Sequence, residues 1–250
     1  MGRKRAQDTS VEVEISTGTA RKESIPGEPN SWVLYVNSVP SSSITIDEPT
    51  RLDFPYLHWM ATTVDHVFPP GTSVRAVHIG AAGCSLALRL HATHPRSRQT
   101  AVDIDALLMD YVRDWFDLPR SPALALRVGD GAREIQTFAP GSIDIVVRDA
   151  FAGDTTPQAL TTHDYFAHTA SALKPGGLAL FNIAGTPSHA RQEIQAISSH
   201  FEHVYIIHAS GRTRGQRANV VIVASANALD RTRLASALRT GPAPATITPA

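Results

Sequence analysis

The chain has 250 residues, enough to bury a full core as one large domain or as one domain with a small appendage. Lys plus Arg and Asp plus Glu each number 23, so no net field recruits nucleic acid or an acidic membrane surface, and neither partner is expected. The single cysteine, Cys84, excludes a disulfide framework and a cysteine-based zinc cluster, and no apolar run approaches the length of a membrane span.

The basic start MGRKRAQDTS has no apolar segment behind it, and Ala6 stands where myristoylation needs Ser or Thr. A soluble, cytoplasmic protein is expected, with residues 1–10 disordered. Residues 11–55 read as a small β-hairpin unit. VEVEIS alternates like a half-buried strand, WVLYV over 32–36 is a second strand, and 43–47 returns after a turn at Asn37-Ser38-Val39-Pro40. Helical spacing over 56–67 then stops at Pro69-Pro70-Gly71.

From here strand and helix patterns alternate over 56–240, as in a parallel sheet covered by helices. Strands are predicted over 74–79, 100–104, 123–128, 143–147 and 178–183. Helices are predicted from Gly83 onward, over 106–116, around 163–173 and over 188–200. Lys174-Pro175-Gly176-Gly177 reads as a helix stop. Two apolar strands, 203–207 and 219–223, follow, joined by the Gly- and Arg-rich ASGRTRGQRA, expected to be a flexible hairpin loop. A short helix over 228–238 and a disordered tail over 241–250 complete the chain.

The densest chemical signal is VRAVHIGAAGCSLALRL followed by VDID. A strand, the small-residue turn Gly80-Ala81-Ala82-Gly83 and a helix N-terminus let a ligand approach free backbone N–H groups. Asp103 ends the next strand roughly twenty residues after the first glycine, the usual spacing for an acid that binds ribose hydroxyls. Ala82 and Ser85 replace two glycines of the dinucleotide fingerprint, so a nicotinamide enzyme is disfavoured. In open sheets ligands sit at the carboxyl ends of the strands, and four such ends carry Gly80, Asp103, Asp130 and Asp149. The alternative reading of each aspartate is a helix N-cap. His91 and His94 read as solvated histidines and His78 as a packed core histidine, and no metal site is expected.

Five βα units closed by a hairpin resemble the Rossmann-like S-adenosylmethionine-methyltransferase fold. The expectation is an α/β, mostly parallel seven-stranded sheet with a C-terminal β-hairpin, preceded by the small N-terminal β unit. The motifs VHIGAAG, VDID, VGDGAREI, IDIVVRDAFAGDTTPQALTTHDYF and LKPGG resemble the spermidine synthase family of aminopropyltransferases, in its actinobacterial spermidine-synthase-like branch. The resemblance implies that decarboxylated S-adenosylmethionine, the aminopropyl donor, lies against Gly80, Ala81, Ala82, Asp103, Ile104, Asp130 and Gly131. Asp103 would bind the donor's ribose, Asp130 would sit near its adenine amino group, and Asp149 would be the general base. Tyr56 and Asp154 would face an amine acceptor. It also implies a possible homodimer and no metal.

The chain departs from the family's pattern on the acceptor side. Ala152 replaces the second acid of Asp-x-x-Asp, Ser41 a glutamine, and Tyr56-Leu57-His58 a Tyr-His-Glu run. A buried diamine dication would lose charge compensation without those acids. Three readings stay open: an aminopropyltransferase with an altered acceptor, a methyltransferase using S-adenosylmethionine, and a non-catalytic nucleoside-binding protein.

Overall fold

The computed structural model describes residues 10–153, 155–183, 187–211 and 219–250. Residues 1–9 of the expected disordered start, Asp154 and most of the connector between the last two hairpin strands lie outside these residues, whereas Ser10 already belongs to a strand. An antiparallel meander of four strands comes first: β1 (Ser10–Ile15), β2 (Gly18–Ser24), β3 (Ser31–Val36) and β4 (Val39–Thr45). Strand β2 went unread because GTARKES looks like a solvated loop. Its charges instead lie over rings, Lys22 above Trp32 (4.4 Å) and Arg21 above Tyr35 (4.1 Å). The turn after β3 takes Asn37 and Ser38 through positive φ (51° and 66°), so β4 starts at Val39, earlier than expected. Pro40 is tolerated because β4 is an edge strand.

Helix α1 (Pro55–Val67) leads into the main sheet. Its strands are β5 (Arg75–Ile79), β6 (Arg98–Asp103), β7 (Leu124–Val128), β8 (Ile143–Arg148), β9 (Leu173–Ile183), β10 (His203–Ala209), β11 (Val220–Ser225) and β12 (Ala245–Pro249). The order is β12-β10-β11-β9-β8-β5-β6-β7, parallel from β9 to β7 and antiparallel in the other half. Helices α2 (Ser85–Thr93), α3 (Ala106–Phe116), α4 (Gly131–Glu134), α5 (His163–Ala172), α6 (Pro187–Ser198) and α7 (Arg231–Thr240) complete the chain.

The α/β class with a mostly parallel sheet is as expected, but the sheet has eight strands, not seven. The stretch 241–250, expected to be a disordered tail, holds β12, which pairs with β10 and buries Ala245 and Ile247. The carbonyl of Ala243, just before it, accepts from Trp59 Nε1 of α1 at 2.8 Å. Pro249 sits on an edge strand, where a missing N–H costs no ladder bond. LKPGG ends α5 as expected but is itself the start of β9, its irregularity absorbed by a register shift between Ile143 and Ile145.

Alternation along each central strand feeds two cores. Ala76, Ile145, Val147, Leu178 and Leu180 meet α1 and α7, while Val77, Ile79, Val146, Ala179 and Phe181 pack on the opposite face among Phe166 and Ile197. A third core joins the N-terminal sheet to α2 and α3 through Leu34, Ile44, Cys84, Ala87 and Met109. His78 is buried and bonded to Gln99 Oε1 (2.9 Å), and burial pushes its pKa down to about 4. His94 corrects the expectation of a solvated residue. It is fully buried, its ring bridging Thr93 Oγ1 (2.8 Å) and the Phe68 carbonyl (3.1 Å), which ties the end of α2 to the end of α1. Among the described residues no helix is long and apolar enough to cross a membrane, and no group of three or more His, Cys, Asp or Glu is placed to hold a metal.

Asp105 joins the layers. One side-chain oxygen caps α3 by accepting from the Leu108 N–H (2.8 Å), and the carboxylate also accepts from Ser16 N–H (3.1 Å), Thr17 N–H (2.7 Å) and Thr17 Oγ1 (2.8 Å) in the β1–β2 turn. Burial alone would raise its pKa, but these donors outweigh it and hold the carboxyl below the ordinary range. A depressed pKa means the stabilisation is present above the unfolded carboxylate pKa and is lost as pH falls through the folded value. Asp105→Ala should cost about 2–4 kcal/mol in urea unfolding at neutral pH. The gap to the parent protein should narrow in acid; an unchanged midpoint at pH 7 would refute the clamp.

Candidate active site at the carboxyl edge of the sheet

The carboxyl ends of β5, β6, β7 and β8 are laced together by backbone bonds. Gly80 N–H donates to the Val102 carbonyl (2.9 Å), Asp149 N–H to that of Ile79 (2.8 Å), and Gly129 N–H to that of Asp103 (2.8 Å). Gly80 has φ +77°, and a Cβ there would stand 2.4 Å from Ala150 Cα, so this turn requires glycine. The chain then passes Ala81 and Ala82 and reaches Cys84 in the left-handed region (φ 63°) before α2 begins. The N-terminal sheet holds this turn: Gly83 N–H donates to Ser42 Oγ and Ser85 Oγ donates to the Ser43 carbonyl, both at 2.9 Å. Burial, with Asp103 adding to it, pushes the Cys84 thiol up to about 12, so it stays protonated.

Asp103 ends β6 beside this turn. Burial raises its pKa, opposed by N–H bonds from Asp105, Ala82 and Ile104. Ile104, the residue after β6, is 63 % exposed, and Leu107 of α3 and Val128 at the end of β7 are exposed as well. Asp130 is a helix cap, its side chain accepting from Ala132 N–H (2.8 Å) and Arg133 N–H (3.2 Å) at the start of α4. Gly131 approaches so closely that a Cβ would lie 2.3 Å from Ile79 Cγ2.

Asp149 follows β8. Its carboxylate accepts from Tyr56 Oη (2.9 Å) and from Asn182 Nδ2 (2.7 Å). Burial raises its pKa, with the bonds from Asn182 and Tyr56 and the nearby Arg148 charge pulling the other way. Tyr56 is itself pushed well above its ordinary value, first by burial and then by the facing carboxylate. The site thus holds a carboxylate poised to take up a proton more readily than a surface aspartate does.

Sequence reasoning missed Asn182. Its only signal is a polar residue inside the apolar run LALFNI. Asn219 Nδ2 donates to Asn182 Oδ1 (3.0 Å), which turns the amide so that its NH2 faces Asp149. Arg148 was also missed. It is fully buried, ion-paired with Glu193 of α6, and donates to the Leu160 carbonyl (2.9 Å) and the Asn182 carbonyl (3.2 Å). Leu57 points into the core, His58 is half-buried, Ser41 Oγ bonds the Val39 carbonyl (2.9 Å), and Ala152 is exposed in a short bridge with Thr155. Asp154 lies outside the described residues.

No protein-family model matches the chain. A probable spermidine synthase from Corynebacterium glutamicum is 30 % identical in sequence, with a TM-score of 0.87 over 96 % of this chain and 90 % of that one. The polyamine aminopropyltransferase of Neisseria meningitidis serogroup A is 28 % identical over 180 residues, covering 71 % of this chain and 67 % of the relative. Human methyltransferase-like protein 13, solved in complex with SAH, shares the fold alone. It is 17 % identical with a TM-score of 0.56 over 69 % of this chain and 79 % of that one.

The close approach of Gly80 to Ala150 yields a direct test. Gly80→Ala should destabilise the protein by roughly 1–3 kcal/mol, read as a fall in thermal midpoint. A neutral substitution would mean that the turn can open without cost.

Proposed function

The chain belongs to the spermidine synthase family of polyamine aminopropyltransferases, and from that premise we propose that it transfers an aminopropyl group from decarboxylated S-adenosylmethionine to an amine acceptor. The observation that carries this reading is the Asp149 carboxylate, raised in pKa and held by Tyr56 and Asn182. In the reaction the lone pair of a neutral amine attacks the methylene carbon bonded to the sulfonium. The carbon–sulfur bond breaks, its electron pair passes to sulfur, and methylthioadenosine leaves as a neutral thioether. The nitrogen gains a carbon and must shed a proton, which Asp149 accepts.

In this reading the turn from Gly80 to Ala82 receives the nucleoside against its backbone, and Asp103 takes the ribose hydroxyls. Ile104, Asp130 and Gly131 bound the base. Tyr56 has two jobs: it fixes the Asp149 carboxylate and presents an aromatic ring toward the cationic substrates. Leu57 in the core and Ala152 on the surface support an acceptor other than a diamine held at both ammonium groups.

The first test is calorimetric titration with decarboxylated S-adenosylmethionine and, in parallel, S-adenosylmethionine. Preference for the decarboxylated donor is expected. Preference for S-adenosylmethionine would shift the reading to methyl transfer, and binding of neither would sink both.

With an accepted amine in hand, Asp149→Asn should lower kcat by roughly 10²-fold or more while leaving donor affinity within a few-fold. The base works only when ionised, so kcat should rise with pH through an apparent pKa above that of an ordinary aspartate. Tyr56→Phe removes a donor to the ionised form and should move that limb to higher pH. A limb that does not move would place the titrating group elsewhere.

A further inference from the structure

The opposite ends of the same strands carry a polar hollow. β5, β6, β8 and β9 run parallel, so their first residues share the amino edge of the sheet. Arg75, Arg98, Asp144 and Lys174 come from these strand starts and, with Arg96, line a cleft of about 430 Å³. Asp144 is already engaged. Lys174 Nζ reaches its two oxygens at 2.9 and 2.8 Å, and the Arg75 N–H takes one of them at 2.7 Å. Among the described residues, the Arg96 side chain donates to the Gly71 carbonyl, at 3.4 Å. Among the described residues, none of the three arginines in this cleft has an ion-pair partner. Arg75 and Arg98 are also register partners on neighbouring strands, where like charges cost stability. A smaller hollow of about 170 Å³ opens from the same two arginines and is walled by Pro122, Phe138 and Ile143.

We propose that this cleft binds a small phosphate-bearing molecule. Arg75, Arg96 and Arg98 hold the phosphate groups, and the uncharged part extends into the hollow beside Phe138. Guanidinium groups match phosphate oxygens two at a time, and a bound dianion would turn the Arg75–Arg98 repulsion into attraction. The shape selects a small ligand. A nucleic acid needs an extended basic track, whereas these charges converge on one concavity in a chain of zero net charge. The cleft lies about 13 Å from the carboxyl edge, the length of β5, so both sites can be filled together.

The test titrates the purified full chain with pyrophosphate and with UDP near physiological salt. UDP is chosen because its uracil differs from the adenine proposed for the other edge. Saturable binding of at least one probe is expected, weakened about tenfold or more in the Arg75→Gln/Arg98→Gln double variant. These side chains are exposed and like-charged, so the thermal midpoint should hold or rise slightly; Arg96→Gln serves as the second variant should the double one fail to fold. Tighter binding of UDP would identify a nucleotide as the ligand, and equal affinity would identify phosphate groups alone. No saturable binding of either probe, or equal binding by the variants, would overturn the proposal.

Discussion

One carboxylate shared between two layers locks the N-terminal sheet to the carboxyl edge of the main sheet. Asp105 Oδ1 accepts from the start of α3 and from the β1–β2 turn of the N-terminal sheet, and Oδ2 accepts from that turn as well. A buried carboxylate is costly unless donors surround it, and here four donors do. Because Asp105 lies two residues after Asp103, the bond that docks the small sheet also holds the end of β6. The contacts of Ser42 and Ser43 with Gly83 and Ser85 repeat this on the neighbouring turn. The N-terminal unit is therefore one wall of the Gly80–Gly83 turn, and α1, which follows it, brings Tyr56 to Asp149.

The electrostatics around Asp149 are arranged by what is kept away from it. Arg148, its neighbour in sequence, could hold the carboxyl firmly ionised. Alternation along β8 sends that side chain instead to the α6 side, where Glu193 neutralises it. The donors left for Asp149 are neutral ones, a phenol and an amide, so burial prevails and the pKa goes up. A carboxylate bonded only by neutral donors takes up a proton more readily than one clasped by a guanidinium. The buried ion pair also fixes the Asn182 carbonyl, so that the amide facing Asp149 rests on a held backbone.

Most of the parallel half of the sheet was legible in the sequence, because a strand buried on both faces reads as an unbroken apolar run and each helix between carries its own period. The failures share a cause. β2 is polar, and its cations lie half-buried over aromatic rings contributed by β3, which local pattern cannot show. β12 lies in a Pro/Ala/Thr-rich stretch whose strand state exists only because β10 offers a free edge. His94 looks like a helix-end histidine until the end of α1 supplies a carbonyl. In each case a partner distant in sequence decides the structure. In the site the same division holds: the glycine turn and the strand-end aspartates follow local rules, whereas Asn182 and Arg148 matter only through what folds against them.

The acceptor side is where helix geometry constrains the chemistry. Residues 56, 57 and 58 lie on α1, where successive side chains point about 100° apart. Tyr56 takes the direction toward Asp149, Leu57 shares the core with Met60 and Val64, and His58 faces neither. Burial, the largest influence on His58, lowers its pKa, so it adds no cation that would compete with a substrate ammonium. A helix fixed this firmly by Trp59 and Met60 cannot rotate to present a different residue. In the proposed reaction, Tyr56 and Asp149 are the residues placed to meet the reacting amine. That short list favours an amine recognised at its reacting end over one clasped at both ends.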